Sequence, residues 1–140
     1  MTDHYFSGDP GSAARERRVS FTAYGRSYEL VSATGVFSDD RLDLGTSVLF
    51  REAPLPASPG TFLDLGCGYG PIACVLATQV PGSTIWAVDV NPRALQLCRA
   101  NVASVAPSRV EVVLPDQVPP DVRFDQIWSN PPIRIGKAAL

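Results

Sequence analysis

The chain has 140 residues, 45% apolar and 19% charged, with net charge −2 and a pI near 5.2. That suffices for one packed domain and argues against a disordered chain or a strongly basic nucleic-acid surface; no apolar run reaches the roughly 20 residues of a membrane span, and MTDHYFSGDP has no apolar signal core. Cys67, Cys74 and Cys98 form no C-x-x-C and His4 is the lone histidine, so neither a disulfide framework nor a zinc site is expected and a reducing cytoplasm fits.

RRVSFTAYGRSYELVSA alternates, with Val19, Phe21 and Ala23 on one face, Gly25 in a turn and a second run over Tyr28–Val31: a predicted hairpin. LDLGTSVLFREA is a predicted helix capped by Asp43. Past the proline-rich 54–60 stretch, TFLDLG is a short strand entering a glycine cluster, and PIACVLATQV sets Ile72, Val75, Leu76 and Gln79 at helical spacing. STIWAVDV is a second buried strand. In NPRALQLCRANVASV, Asn91 is a good N-cap, Pro92 suits the first helical position, and Ala94, Leu95, Cys98, Val102 and Val105 form an apolar stripe. RVEVVL and FDQIWS are a third and fourth strand. Strands alternating with helices imply a parallel sheet covered on both faces. The expected division is an N-terminal extension over 1–58, hairpin plus helix, and a partial Rossmann-like α/β core over 59–140.

DLGCGYG, Asp64 to Gly70, follows a strand and opens a helix. Gly66 and Gly68 can take positive φ and let a ligand approach the backbone, and the helix N-terminus offers free N–H groups. The glycines at 66, 68 and 70 are spaced one residue tighter than the dinucleotide pattern G-x-G-x-x-G. Asp64 just before them would repel a pyrophosphate and suits an ammonium group, such as the methionine part of S-adenosylmethionine. Asp89, one strand–helix–strand return later, can accept from both ribose hydroxyls. Asp116 after the third strand is a candidate acceptor for the adenine amine. Cys67 in the loop and Val90 after Asp89 complete the candidate cofactor set, together with Asn130.

SNPP follows the fourth strand, which in this topology lies beside the first, so Asn130 is expected near the cofactor methyl. Pro131 and Pro132 fix φ near −65° and hold the backbone carbonyls in one orientation. The Asn130 side-chain oxygen and the Pro131 carbonyl can then accept both hydrogens of a planar NH₂. Two fixed acceptors favour the positive charge that its nitrogen gains on attack, without a strong base.

DLGCGYG, VDVN and SNPP together resemble class I S-adenosylmethionine-dependent methyltransferases of exocyclic amines. HYFS near the start, GVFS…LDLGT at 35–46 and NPPIRIGK at 130–137 resemble, more narrowly, the small-domain ribosomal RNA guanine-N2 methyltransferases. The resemblance implies cofactor contacts at Asp64, Gly66, Gly68, Asp89 and Asp116, amine binding at Asn130 and Pro131, and an approach of Thr46 to the methionine end. It implies methylation of guanine N2 in small-subunit ribosomal RNA. Where many relatives carry an aromatic after the prolines, this chain has Ile133, which leaves Phe37 as a stacking candidate. Arg134 and Lys137 are candidate phosphate contacts; Arg15, Arg17 and Arg18 are read as solvated surface. The family fold continues with three more strands, so a truncated core ending at Leu140 is the expectation, its last strand presenting an open edge and half the sheet's apolar face left without that cover. A protein-glutamine methyltransferase and a non-catalytic remnant of the fold are the alternatives; a nicotinamide dehydrogenase is disfavoured by Asp64 and the glycine spacing.

Overall fold

The computed structural model describes residues 16–33, 41–105 and 109–130. An N-terminal hairpin pairs β1 (Glu16–Ala23) antiparallel with β2 (Arg26–Ala33), and Val19 sits opposite Leu30, both buried. Its two-residue turn, Tyr24-Gly25, has φ of 51° and 78°. Positive φ at both positions gives the twist that strands in a tight hairpin need. Tyr24 is held there because its hydroxyl donates to the Ala53 carbonyl at 2.7 Å and its ring meets Phe50 edge-on.

Helix α1 (Leu44–Glu52) starts where expected, with Asp43 accepting the Thr46 N–H at 3.3 Å. The core follows as β3 (Thr61–Leu65), α2 (Pro71–Gln79), β4 (Thr84–Val88), α3 (Pro92–Val105), β5 (Arg109–Val113) and β6 (Gln126–Ser129). Asn91 takes the Arg93 N–H on its side-chain oxygen at 2.9 Å, ahead of Pro92. The sheet is parallel, in the order β5-β4-β3-β6. The fourth core strand therefore does lie beside the first. Asp125 fixes that pairing at its entry, accepting the Thr61 N–H at 2.8 Å while its own N–H donates to the Thr61 carbonyl at 2.7 Å.

β3, β4 and β5 advance in one direction, so right-handed crossovers put α2 and α3 on the same face. Phe62, Asp64, Ile85, Ala87 and Trp128 are buried beneath them. On the opposite face Leu65 is 46% and Ile127 62% exposed. The expected cover on both faces is thus present on one only among the described residues. The physical reason is the connector from β5 to β6, which carries a single 3-10 turn, Pro115–Gln117, where a covering helix would be needed.

The hairpin acts as a third layer. Tyr28 pairs with Thr78 through their hydroxyls at 2.6 Å, and Gln79 donates to the Ala23 carbonyl at 3.4 Å. The side chain of Asn101, buried in α3, donates to the Val31 and Tyr69 carbonyls and accepts the Val31 N–H, all within 2.8–2.9 Å. Hairpin, helix and glycine loop meet at that one amide.

Candidate active site

The chain runs outward from β3 to β4 and β5, then returns to the other side of β3 as β6. The carboxyl ends of β3 and β6 are therefore the switch point, where open α/β sheets bind ligands. Leu65 pairs with Ser129, and the Ser129 hydroxyl donates to the Leu65 carbonyl at 3.1 Å. The next residues are Gly66 on one strand and Asn130 on the other. The ends of β3 and β6 thus lie at the same rim of the sheet, and Gly66 and Asn130 follow them there.

The loop needs its glycines for different reasons. Gly66, Gly68 and Gly70 have φ of 76°, 57° and 99°. Gly70 precedes α2, and a Cβ there would come within 2.7 Å of the Cys98 Sγ, so close packing of α2 on α3 excludes a side chain. A Cβ on Gly66 would meet nothing within 4 Å; it faces open space above the loop. Gly66 and Cys67 both donate their N–H to the Val88 carbonyl, at 2.8 and 2.9 Å, which ties the loop to the end of β4. The Cys67 side chain turns inward and is 4% exposed, and its hydrogen bond with Cys98 and its burial push the thiol far up. It stays neutral, and any ligand contact at this position would be through backbone.

Asp89 holds the loop from the next strand. Its Oδ2 accepts the Gly68 N–H and its Oδ1 the Asn91 N–H, both at 2.9 Å. Each oxygen retains a lone pair, so two hydroxyl donors can still be accommodated. Val90 beside it is 76% exposed, an apolar surface at the carboxyl rim suited to a flat ring. Asp116 lies in the exposed 3-10 turn after β5, two strands from the glycine loop.

Asp64 is wholly buried. Its Oδ2 accepts the Ala73 N–H at 3.0 Å in the first turn of α2, and its Oδ1 has no partner. Burial raises its pKa to about 7, partly offset by the Ala73 hydrogen bond and reinforced by the charge of Asp89. A buried carboxylate with an orphaned oxygen beside a positive-φ loop is a group whose charge a nearby cation would offset. Asp64 also braces the start of α2.

Asn130, half-buried, donates its side-chain amide to Asp43 Oδ2 at 2.6 Å and to Thr46 Oγ1 at 2.8 Å. A Cβ on Gly45 would overlap the Asn130 Oδ1. Thr46, 5% exposed, thus meets Asn130 from the start of α1. The roles of Asp43 and Gly45 were missed in the sequence, although both lie in the quoted LDLGT stretch. Asp43 also lines a groove of about 1010 Å³ between hairpin and α1, with Phe21, Tyr24, Arg41, Leu44 and Arg51 among its walls. Pro131, Pro132, Ile133, Arg134, Lys137 and Phe37 lie outside the described residues. Among the described residues no cluster of His, Cys, Asp or Glu is arranged to hold a metal, and no helix is long and apolar enough to cross a membrane.

Residues 27–140 match the family model described as methyltransferase small domain. The Bacillus subtilis protein YbxB, itself uncharacterized, is 35% identical over 143 residues, covering 100% of this chain and 71% of YbxB. The ribosomal RNA small subunit methyltransferase C of Aeromonas hydrophila is 41% identical over 109 residues, covering 76% of this chain; the match spans 31% of that enzyme. In structure, the T. thermophilus 16S rRNA N2 methyltransferase (RsmC), in complex with AdoMet and guanosine, superposes with a TM-score of 0.71 at 23% identity, over 88% of this chain and 34% of that one.

Proposed function

Because this chain belongs to the methyltransferase small domain family, we propose that it binds S-adenosylmethionine in the crevice between the glycine loop and Asn130 and methylates guanine N2 in small-subunit ribosomal RNA. The carrying observation is the Leu65–Ser129 pairing, which sets Gly66 and Asn130 side by side at the switch point. The relatives named ribosomal RNA small subunit methyltransferase C support the choice of substrate.

The bound cofactor supplies an electrophilic methyl on a sulfonium. The chain's own groups do the rest. Asp89 accepts ribose hydroxyls on the lone pairs it does not give to Gly68 and Asn91. The orphaned oxygen of Asp64 favours the methionine ammonium. Val90 would offer the adenine an apolar surface and Asp116 an acceptor for its amine. Asn130 Oδ1 and the Pro131 carbonyl accept the two hydrogens of the target amine and favour the charge its nitrogen develops. Most of the acceleration comes from positioning, since no strong base is required. The groove reaching Asp43 is the approach for the nucleic acid, with Arg41 and Arg51 on its walls. Ile133, Arg134, Lys137 and Phe37 are assigned to contacts around the target base, in a protein that works in the cytoplasm.

Calorimetric titration of the chain with S-adenosylhomocysteine is the first test. Saturable one-to-one binding that Asp89→Ala weakens supports the cofactor assignment. No binding would leave the fold as a non-catalytic remnant.

A further inference from the structure

We infer that Asp43 is a positioning residue that fixes which end of the Asn130 amide faces the substrate. The inference rests on the proposed role of Asn130 and extends it to the start of α1. The two ends of an asparagine amide have nearly the same shape and opposite chemistry: one donates, the other accepts. A residue meant to accept from an incoming NH₂ must present oxygen. With its amide free to rotate, Asn130 would present nitrogen part of the time, and two donors would then face each other.

Asp43 removes that freedom. An ionised carboxylate can only accept, so it selects the NH₂ end of Asn130. The 2.6 Å separation is short for an N–H···O bond, in the direction a charged acceptor favours. Thr46 Oγ1 takes the second amide hydrogen at 2.8 Å. With both donors occupied, Oδ1 is the only polar atom of the side chain left for a ligand. Gly45 completes the seat, since any side chain there would strike that oxygen. The same Asp43 oxygen also accepts the Thr46 N–H at 3.3 Å, so the cap that starts α1 and the clamp on Asn130 are one atom. This assigns a purpose to Asp43, Gly45 and Thr46 as a unit.

Two variants separate the clamp from the cap. Asp43→Ser keeps a good N-cap but is too short to reach Asn130. Gly45→Ala raises helix propensity while displacing the Asn130 oxygen. Both are expected to fold cooperatively with a thermal midpoint close to the parent's and still to bind S-adenosylhomocysteine, so that a fall in turnover reports neither unfolding nor loss of the cofactor. Their kcat for methyl transfer to ribosomal RNA is expected to fall about 10- to 100-fold. Asp43→Asn, which can still accept from the amide, recovers part of the loss. In an Asn130→Ala background, Asp43→Ser adds no further loss. Independently of turnover, the Asn130 side-chain amide pair in a nitrogen–proton correlation spectrum should shift in Asp43→Ser toward the position of a solvated amide.

An unshifted amide pair, or parental kcat in both variants, would overturn the inference. So would an Asp43→Ser loss that multiplies with that of Asn130→Ala. If Asn130→Ala itself methylates like the parent, it is the proposed role of Asn130 that fails, and the amide resonance still decides whether Asp43 clamps it.

Discussion

Asp64 and Ala73 are joined by a 3.0 Å hydrogen bond from the first turn of α2 to a carboxylate with no solvent exposure, whose other oxygen has no partner. The glycine loop is strung between these two residues, so the cost of burying this charge is built into the ligand site. Burial is the main reason the Asp64 pKa rises from 3.8 to about 7.

Between about pH 4 and pH 7 the folded chain keeps a proton on Asp64 that the unfolded chain has lost. Stability is therefore greatest below the unfolded value and falls as pH rises through 7, by on the order of 4 kcal/mol. Asp64→Asn keeps an acceptor for Ala73 and removes the charge, so its urea midpoint should change far less than the parent's between pH 5 and pH 8. A bound ligand carrying an ammonium favours the ionised form, so saturating S-adenosylhomocysteine should flatten the parent's slope.

Asp89→Ala strips the acceptor from the Gly68 and Asn91 N–H groups and from the ribose. Hydrogen bonds to a charged group contribute roughly 1.5–3 kcal/mol each. Calorimetry should show S-adenosylhomocysteine binding weakened by at least tenfold, about 1.4 kcal/mol.

Gly66 and Gly25 form a matched pair. Their φ values are 76° and 78°, and a Cβ on either meets nothing within 4 Å. Alanine should cost each about 1–2 kcal/mol of stability from the left-handed backbone alone. Only Gly66→Ala puts a methyl into the crevice. Denaturation should find the two variants alike, and ligand titration should find Gly66→Ala defective and Gly25→Ala normal.

Asn101→Leu leaves the Val31 N–H and carbonyl and the Tyr69 carbonyl without their side-chain partner. An unsatisfied buried group costs about 1–3 kcal/mol, so a thermal midpoint lower by more than 5 °C is expected, for a domain in which 1 kcal/mol corresponds to roughly 2–8 °C. Amide exchange should show β2 and the glycine loop losing protection together.

The sequence announced what is local. Asp43, Asn91 with Pro92, and the glycine spacing each act within one turn, and each element starts where those residues put it. The place of the fourth core strand beside the first was legible too, because parallel α/β sheets allow few arrangements. What escaped were contacts between distant segments. α2 showed a stripe at Ile72, Val75, Leu76 and Gln79, yet Ala73, Cys74 and Ala77 are buried as well, because the hairpin covers the helix's outer side. Asn101 had a signal, a polar residue inside the apolar stripe of α3. Asp64 was read as a partner for an ammonium group, and no local pattern showed that its side chain lies wholly buried on the helix-covered face of β3, bonded to Ala73. Asp43 with Asn130 spans 87 positions, and no spacing rule connects them.

The most direct test is transfer of a labelled methyl group from S-adenosylmethionine to unmodified small-subunit ribosomal RNA, followed by digestion to nucleosides. The account predicts that label appears as N2-methylguanosine with the parent chain and falls at least 100-fold with Asn130→Ala, the scale on which misplacing a reacting group acts. Label at another position, no label with the parent, or equal label with Asn130→Ala would contradict it.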